Sequence, residues 1–256
     1  MDLLMTANVE RYHSQAQISR VRTETWTLEN GYCPRCGNGK LVHERNNEPV
    51  ADFICPACGA VFEQKGKNGK FSKSATASNY QKMIDQIITG TNPDIFFLTY
   101  DRNRWLVTNL FVVPKHFFHP DMIQCRPPLK ATARRAGWVG CTIRLNAIPE
   151  EGRIFIIKSG VPVEKSRVLQ QFQKTLFLAD QTIKTRGWLL DILQCVNRMP
   201  TQFSLDDIYE CESELQIRHP ANSHVRDKIR QQLQLLRDHG IIRFLKRGLY
   251  EKTTGA

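Results

Sequence analysis

The chain has 256 residues, 41% hydrophobic and 24% charged, which is enough to bury a sizeable core in one large or two smaller domains and excludes a fibre or a disordered tail. Its apolar runs, such as residues 95–98, fall far short of the roughly 18 to 20 residues that cross a bilayer, and none follows a basic N-terminal stretch, so the expectation is a cytoplasmic protein without a membrane partner. Lys and Arg outnumber Asp and Glu by 36 to 25, a net charge of +11 that concentrates polyanions and puts nucleic acid first among partners.

In chain order, residues 6–27 carry Val9, Tyr12, Ala16, Ile18 and Val21 at spacings that predict a helix. From Gly31 to about Gly59 the texture changes to Cys, Pro, Gly and Asn, which breaks regular structure and predicts a small knuckle. Segments rich in Phe, Val and Ile at 60–65, 95–100, 106–114, 140–145 and 153–157 predict strands, with helices over 79–89 and 163–178. These elements imply an α/β domain built on a mixed sheet, spanning 1–184.

Beyond about Thr185 the pattern turns helical. Trp188, Leu189, Ile192, Leu193 and Val196 mark a first helix; Ser204 with Asp207 reads as a capping box for a second; Ser223 opens a third, in which Val225, Ile229, Leu233 and Leu236 share a face. Residues 241–245 and 249–251 flank a Lys246-Arg247-Gly248 turn and close the chain as a hairpin. Three helices and a two-stranded wing predict a winged-helix domain over 185–256.

Cys33-Pro34-Arg35-Cys36 and Cys55-Pro56-Ala57-Cys58 are two C-x2-C knuckles 18 residues apart. Four soft thiolates leave no open coordination position, so the pattern predicts a structural zinc site rather than a catalytic one, with an iron–sulfur centre or a redox pair as the alternatives. Cys125, Cys141, Cys195 and Cys211 stand alone and read as buried small hydrophobes, as do Trp26, Trp105 and Trp188 as core aromatics. The seven histidines are scattered without a partner spacing, which argues against a histidine-metal site.

Asp52 is followed after ten residues by Glu63-Gln64-Lys65. In a strand Glu63 and Lys65 project from one face and Gln64 from the other. If the residues around 51–55 and 60–65 pair as a hairpin, the second knuckle caps its turn and Asp52 lies opposite the Glu63–Lys65 end. Asp52, Glu63 and the Gln64 carbonyl then offer hard oxygens to magnesium, with Lys65 as a neighbouring cation. That set is what phosphodiester hydrolysis asks of a protein: a metal to stabilise the pentavalent anion and acidify a water, and a cation to orient it.

The knuckle, the spaced acids and the winged tail together resemble the PD-(D/E)XK nucleases and, more narrowly, the DpnI-like methyl-directed restriction endonucleases. The residues that carry the resemblance run along most of the chain: Tyr32-Cys33-Pro34 with Cys36-Gly37-Asn38, Pro49-Val50-Ala51-Asp52-Phe53, Phe96-Phe97-Leu98-Thr99-Tyr100, Ala133-Arg134-Arg135-Ala136-Gly137-Trp138 and Lys228-Ile229-Arg230-Gln231-Gln232-Leu233-Gln234. The resemblance implies a bacterial enzyme that cuts GATC when its adenine carries a 6-methyl group, using a zinc-containing nuclease domain and a winged helix that also reads methylated sequence. It maps the active site onto Asp52, Glu63 and Lys65, with Gln64 at the variable position. The N-terminal residues and the 180–186 linker depart from it.

Two surfaces are expected to meet the DNA. On the third helix of the tail, Arg226, Arg230, Gln231, Gln234 and Arg237 lie opposite the apolar stripe. Arg pairs with guanine and Gln with adenine, while Lys228, Arg243, Lys246 and Arg247 can hold phosphates. Residues 226–252 hold eight Lys or Arg against three acids. In the first domain, Arg134, Arg135 and Trp138 form a cationic, Gly-containing stretch read as a flexible loop entering a groove, with Trp138 as the candidate wall against the methyl group and a core position as its alternative. The competing functional readings are a non-catalytic zinc-ribbon regulator and an RNA-processing nuclease. One chain supplies one active site, so a monomer that nicks successively and a transient dimer on DNA both satisfy double-strand cutting.

Overall fold

The computed structural model describes residues 1–43 and 51–253. Pro49 and Val50 of the spaced-acid motif lie outside them. An N-terminal segment bridges Leu4 to Leu106 of the main sheet before helix α1 (Gln15–Asn30). The helix predicted over 6–27 thus begins later and ends later; before it, the Glu10 amide bonds the Asn8 side chain and the Tyr12 amide the Val9 carbonyl in a turn instead of a helix. Strands β1 (Val42–His43), β2 (Phe53–Ile54) and β3 (Val61–Asn68) follow, then β4 (Ser74–Asn79), helix α2 (Tyr80–Thr89), β5 (Asp94–Asp101), β6 (Leu106–Val113), β7 (Ile123–Cys125), β8 (Gly140–Arg144), β9 (Ile154–Lys158), β10 (Val161–Pro162) and helix α3 (Lys165–Thr175).

Among the described residues, seven strands make one mixed sheet in the order β1-β2-β3-β5-β6-β9-β10, in which only β3 and β5 run parallel. The mixed α/β architecture expected from the sequence is what the chain adopts. A separate three-stranded sheet, β4-β8-β7, was not expected. Its strand β4, SATASN, buries only the small Ala75 and Ala77, so it has no large-apolar signature.

The alternation of β3 divides the molecule. Phe62 and its β5 neighbours Phe96 and Leu98 face a core holding Trp26 of α1 and Val168 and Phe172 of α3. Ile95, Phe97, Phe111 and Val113 face a second core shared with the small sheet and with α2. That second core continues without a break into the C-terminal helices α4 (Ile183–Arg198), α5 (Leu205–Tyr209), α6 (Glu212–Arg218) and α7 (Val225–Asp238), through Trp188, Leu189, Leu233 and Leu236. A three-stranded sheet, β11 (Gln202–Ser204), β13 (Leu249–Lys252) and β12 (Ile242–Lys246), completes a winged helix.

The tail has four helices where three were expected. The Ser204–Asp207 capping box forms as read from the sequence, but α7 starts after His224, and Ser223 does not cap it. Trp26 and Trp188 are core residues. Trp105 is not: it is half-buried at the β5–β6 turn with φ of 52°, stacked on Tyr100 at 5.4 Å beneath the Arg22 guanidinium. Of the isolated cysteines, Cys141, Cys195 and Cys211 are buried as expected. Cys125 is instead exposed, and Cys195 and Cys211 share one partner, the Arg198 guanidinium, at 3.3 and 3.4 Å.

Candidate nuclease site and its metal-binding knuckle

The two C-x2-C turns are built alike. In each, the amide after the second cysteine donates to the carbonyl of the first, Gly37 to Cys33 at 2.8 Å and Gly59 to Cys55 at 2.9 Å, with both glycines at positive φ. The four sulfurs lie within 4.8 Å of one another, with Cys33–Cys58 and Cys36–Cys55 at 3.6 Å. Tetrahedral zinc with bonds near 2.3 Å requires sulfurs about 3.8 Å apart, so the cluster fits that ion. Without an ion, burial raises the Cys33 and Cys58 thiols, while at Cys55 burial is outweighed by the amides of Cys58 and Ala57, which lower it; a bound metal would draw all four to the thiolate.

The second knuckle is also the turn of the β2–β3 hairpin. Cys55 follows Ile54 directly, and its amide bonds Ala60 at 2.8 Å just before β3 begins. The pairing Phe53↔Phe62 and Ile54↔Val61 brings Asp52, the residue before Phe53, beside the first half of β3. The Asp52 amide donates to the Phe62 carbonyl at 2.9 Å, and its carboxylate accepts the Gln64 amide at 2.7 Å. Glu63 and Lys65, two residues apart on β3, form an ion pair. Asp52, Glu63 and Lys65 thus line one cleft of about 810 Å³. Gln64 points the other way, and its side chain takes a hydrogen bond from Thr27 of α1 at 2.6 Å.

Helix α1 supplies residues that the sequence reading missed. Arg20 pairs with Glu24 at 2.6 Å and reaches the Asp52 carboxylate at 3.9 Å. Burial raises the Glu24 carboxyl, Arg20 opposes that shift, and the nearby Asp52 charge adds to it. All three line the cleft. The donor set suits magnesium, since the carboxylates of Glu24, Asp52 and Glu63 line the cleft and, among the described residues, no soft ligand does; Asp52 and Glu63, with the Gln64 carbonyl, would hold such an ion.

The stretch carrying Arg134, Arg135 and Trp138 is not a loose loop. It extends the β7–β8 pair as a closed hairpin, with Arg126 bonded to Gly140, Leu129 to Trp138 and Gly137 back to Leu129 at 2.9–3.0 Å. Arg134 and Arg135 are exposed, and Trp138 is half-buried and belongs to neither core. Its indole lies on Gly140: a Cβ there would sit 2.6 Å from the ring. The hairpin is rooted beside the acids. Burial pushes the Cys141 thiol up to about 11, with Lys65 and Glu63 acting on it through space in opposite senses.

On α7, Arg226, Arg230, Gln231, Gln234 and Arg237 are all exposed, opposite the buried Val225, Ile229, Leu233 and Leu236. Several are already engaged. Arg226 pairs with Glu212 at 2.7 Å, Arg230 bonds the Tyr209 hydroxyl at 2.7 Å and pairs with Asp227, and Gln231 accepts from Lys228 at 2.7 Å. Lys246 and Arg247 stand exposed at the wing turn, with no ion pair among the described residues. Also among the described residues, no helix is long and apolar enough to cross a membrane.

Comparison with known families gives two matches. Residues 1–181 match the family model described as DpnI, Dam-replacing family. Residues 184–252 match the model described as the Dam-replacing HTH domain, DpnI_C.

Proposed function

The chain belongs to the DpnI, Dam-replacing family of methyl-directed restriction endonucleases, and from that membership we propose that it hydrolyses both strands of duplex DNA at GATC sites carrying 6-methyladenine, with magnesium in the Asp52–Glu63 cleft. The observation that carries the reading is the meeting of Asp52, Glu63 and Lys65 in one cleft at the end of a knuckle-capped hairpin. Residues 1–184 act as the nuclease and 185–256 as a second reader of the site.

When bound, magnesium supplies charge to the developing phosphorane and acidifies a water. The protein's residues do the rest. The Gln64 amide fixes the Asp52 carboxylate by its Oδ2, leaving Oδ1 directed toward the cleft and Arg20. Glu63 holds the Lys65 ammonium beside the acids, where it can orient a water and offset charge on a phosphate oxygen. Cys33, Cys36, Cys55 and Cys58 hold zinc and keep the hairpin in register.

Methyl reading falls to Trp138 with Arg134 and Arg135 on the phosphates, and to α7 with Lys246 and Arg247 of the wing. Burying one methyl group is worth only about 0.8 kcal/mol, roughly fourfold. Two readers on a palindrome multiply that preference. Gly140→Ala forces the indole off its seat and is expected to cut the methylated-to-unmethylated affinity ratio by about fourfold with little change in melting temperature; an unaltered ratio would take Trp138 out of methyl recognition.

Plasmid prepared from adenine-methylating and methylation-deficient hosts tests the whole reading. Incubated with the protein and Mg2+, only the methylated plasmid should be cut. Equal cutting of both would reject methyl direction, and binding without cutting would favour a regulator.

A further inference from the structure

The groove does not end at the acids. Beyond Lys65 it is lined by Lys67, Phe71, Ser72, Ser74 and Thr76, and among the described residues no carboxylate lines that end. Lys67 shares the face of β3 that presents Glu63 and Lys65, and two residues along a strand advance the chain by roughly 6.6 Å, close to the step between neighbouring phosphates of one strand.

The charge state of the groove singles out the same residue. Among the described residues its lining cations are Arg20, Lys65 and Lys67. Arg20 is paired to Glu24 and Lys65 to Glu63, whereas Lys67 is exposed and has no ion pair among the described residues. Its ammonium lies 5.9 Å over the ring of Phe71. Phe71 is itself fixed edge-on against Phe97 at 5.3 Å and Phe111 at 6.5 Å, so the cation rests on a rigid aromatic wall. An uncompensated ammonium held this way, beside the hydroxyls of Ser72, Ser74 and Thr76, suits an anionic backbone oxygen.

We propose that Lys67 binds the backbone phosphate adjacent to the scissile one and so positions the strand along β3, independently of base sequence and methylation. The proposal rests on the nuclease reading for the location of the scissile phosphate. It assigns a strand-positioning contact to a residue outside the Asp52, Glu63, Lys65 set.

The test compares the intact protein with Lys67→Gln and Lys67→Arg. Affinity for methylated and unmethylated duplex is measured in Ca2+ over a range of NaCl concentrations, and single-turnover cleavage in Mg2+. For Lys67→Gln, the slope of log affinity against log salt should become shallower by about one. Affinity should fall by the same factor for both duplexes, about 3- to 10-fold at low salt, and the rate at saturating duplex should fall by less than the affinity does. Lys67→Arg should restore most of the slope. An unchanged slope with unchanged melting temperature would overturn the proposal, as would a loss confined to the methylated duplex. A parent protein that binds duplex but never cuts it would overturn the nuclease reading instead, leaving the salt slope to decide for or against a phosphate contact at Lys67.

Discussion

Asp52→Asn is expected to lower cleavage of methylated duplex by on the order of 10³-fold or more while duplex affinity in Ca2+ stays equal or rises slightly. The substitution keeps the shape of the side chain, and the retained oxygen can still accept the Gln64 amide that fixes Asp52. What it removes is a negative charge 3.9 Å from Arg20, in the cleft that Glu63 also lines. A groove with one carboxylate fewer repels phosphate less, so binding does not suffer. Single-turnover kinetics with anisotropy titrations separate the two effects; a rate within tenfold of the parent would remove Asp52 from the reaction.

Cys55→Ser should be the most damaging substitution for stability. Cys55 is fully buried and is at once a candidate metal ligand, the residue after β2 and the donor that closes the turn into β3. Structural zinc contributes roughly 10 kcal/mol or more to small folds. Losing only about half of that lowers the melting temperature by about 10–20 °C, at 2–4 °C per kcal/mol for a chain of this size. Calorimetry alongside metal analysis checks the expectation: one zinc per chain in the parent, and a large drop in melting temperature on substitution or chelation. A metal-free preparation melting at the same temperature would show that the knuckle stands without zinc.

How much of this site can be read from sequence follows from how local its parts are. Asp52, Glu63, Lys65 and the second knuckle fall within fourteen residues, and strand alternation with a Cys-x2-Cys turn is enough to bring them together. Arg20, Glu24 and Thr27 act from a helix some thirty residues earlier, and charged positions on its outer face carry no period that points to a particular strand. Strand β4 escaped because alanine, serine and threonine leave no apolar rhythm, although they form one wall of the groove. Trp105 read as core because aromatics in a strand context usually are, yet it occupies a turn with left-handed backbone. The hairpin of residues 126–139 holds Pro127, Pro128 and Gly137, which look like a loose loop until the hydrogen bonds between its two arms are known. In the tail, the apolar stripe of α7 and the helical spacing of Arg230 and Asp227 are plain, but that Arg226 meets Glu212 of α6 and Arg230 the Tyr209 hydroxyl of α5 is not revealed by sequence spacing.

The most direct measurement is a crystal structure of the Lys65→Ala variant bound to a methylated GATC duplex in Mn2+, with the ion located by its anomalous scattering. A peak between Asp52 and Glu63, in contact with a backbone phosphate oxygen, is the predicted result. A duplex seated away from that cleft, or manganese bound anywhere but between those two carboxylates, would contradict it.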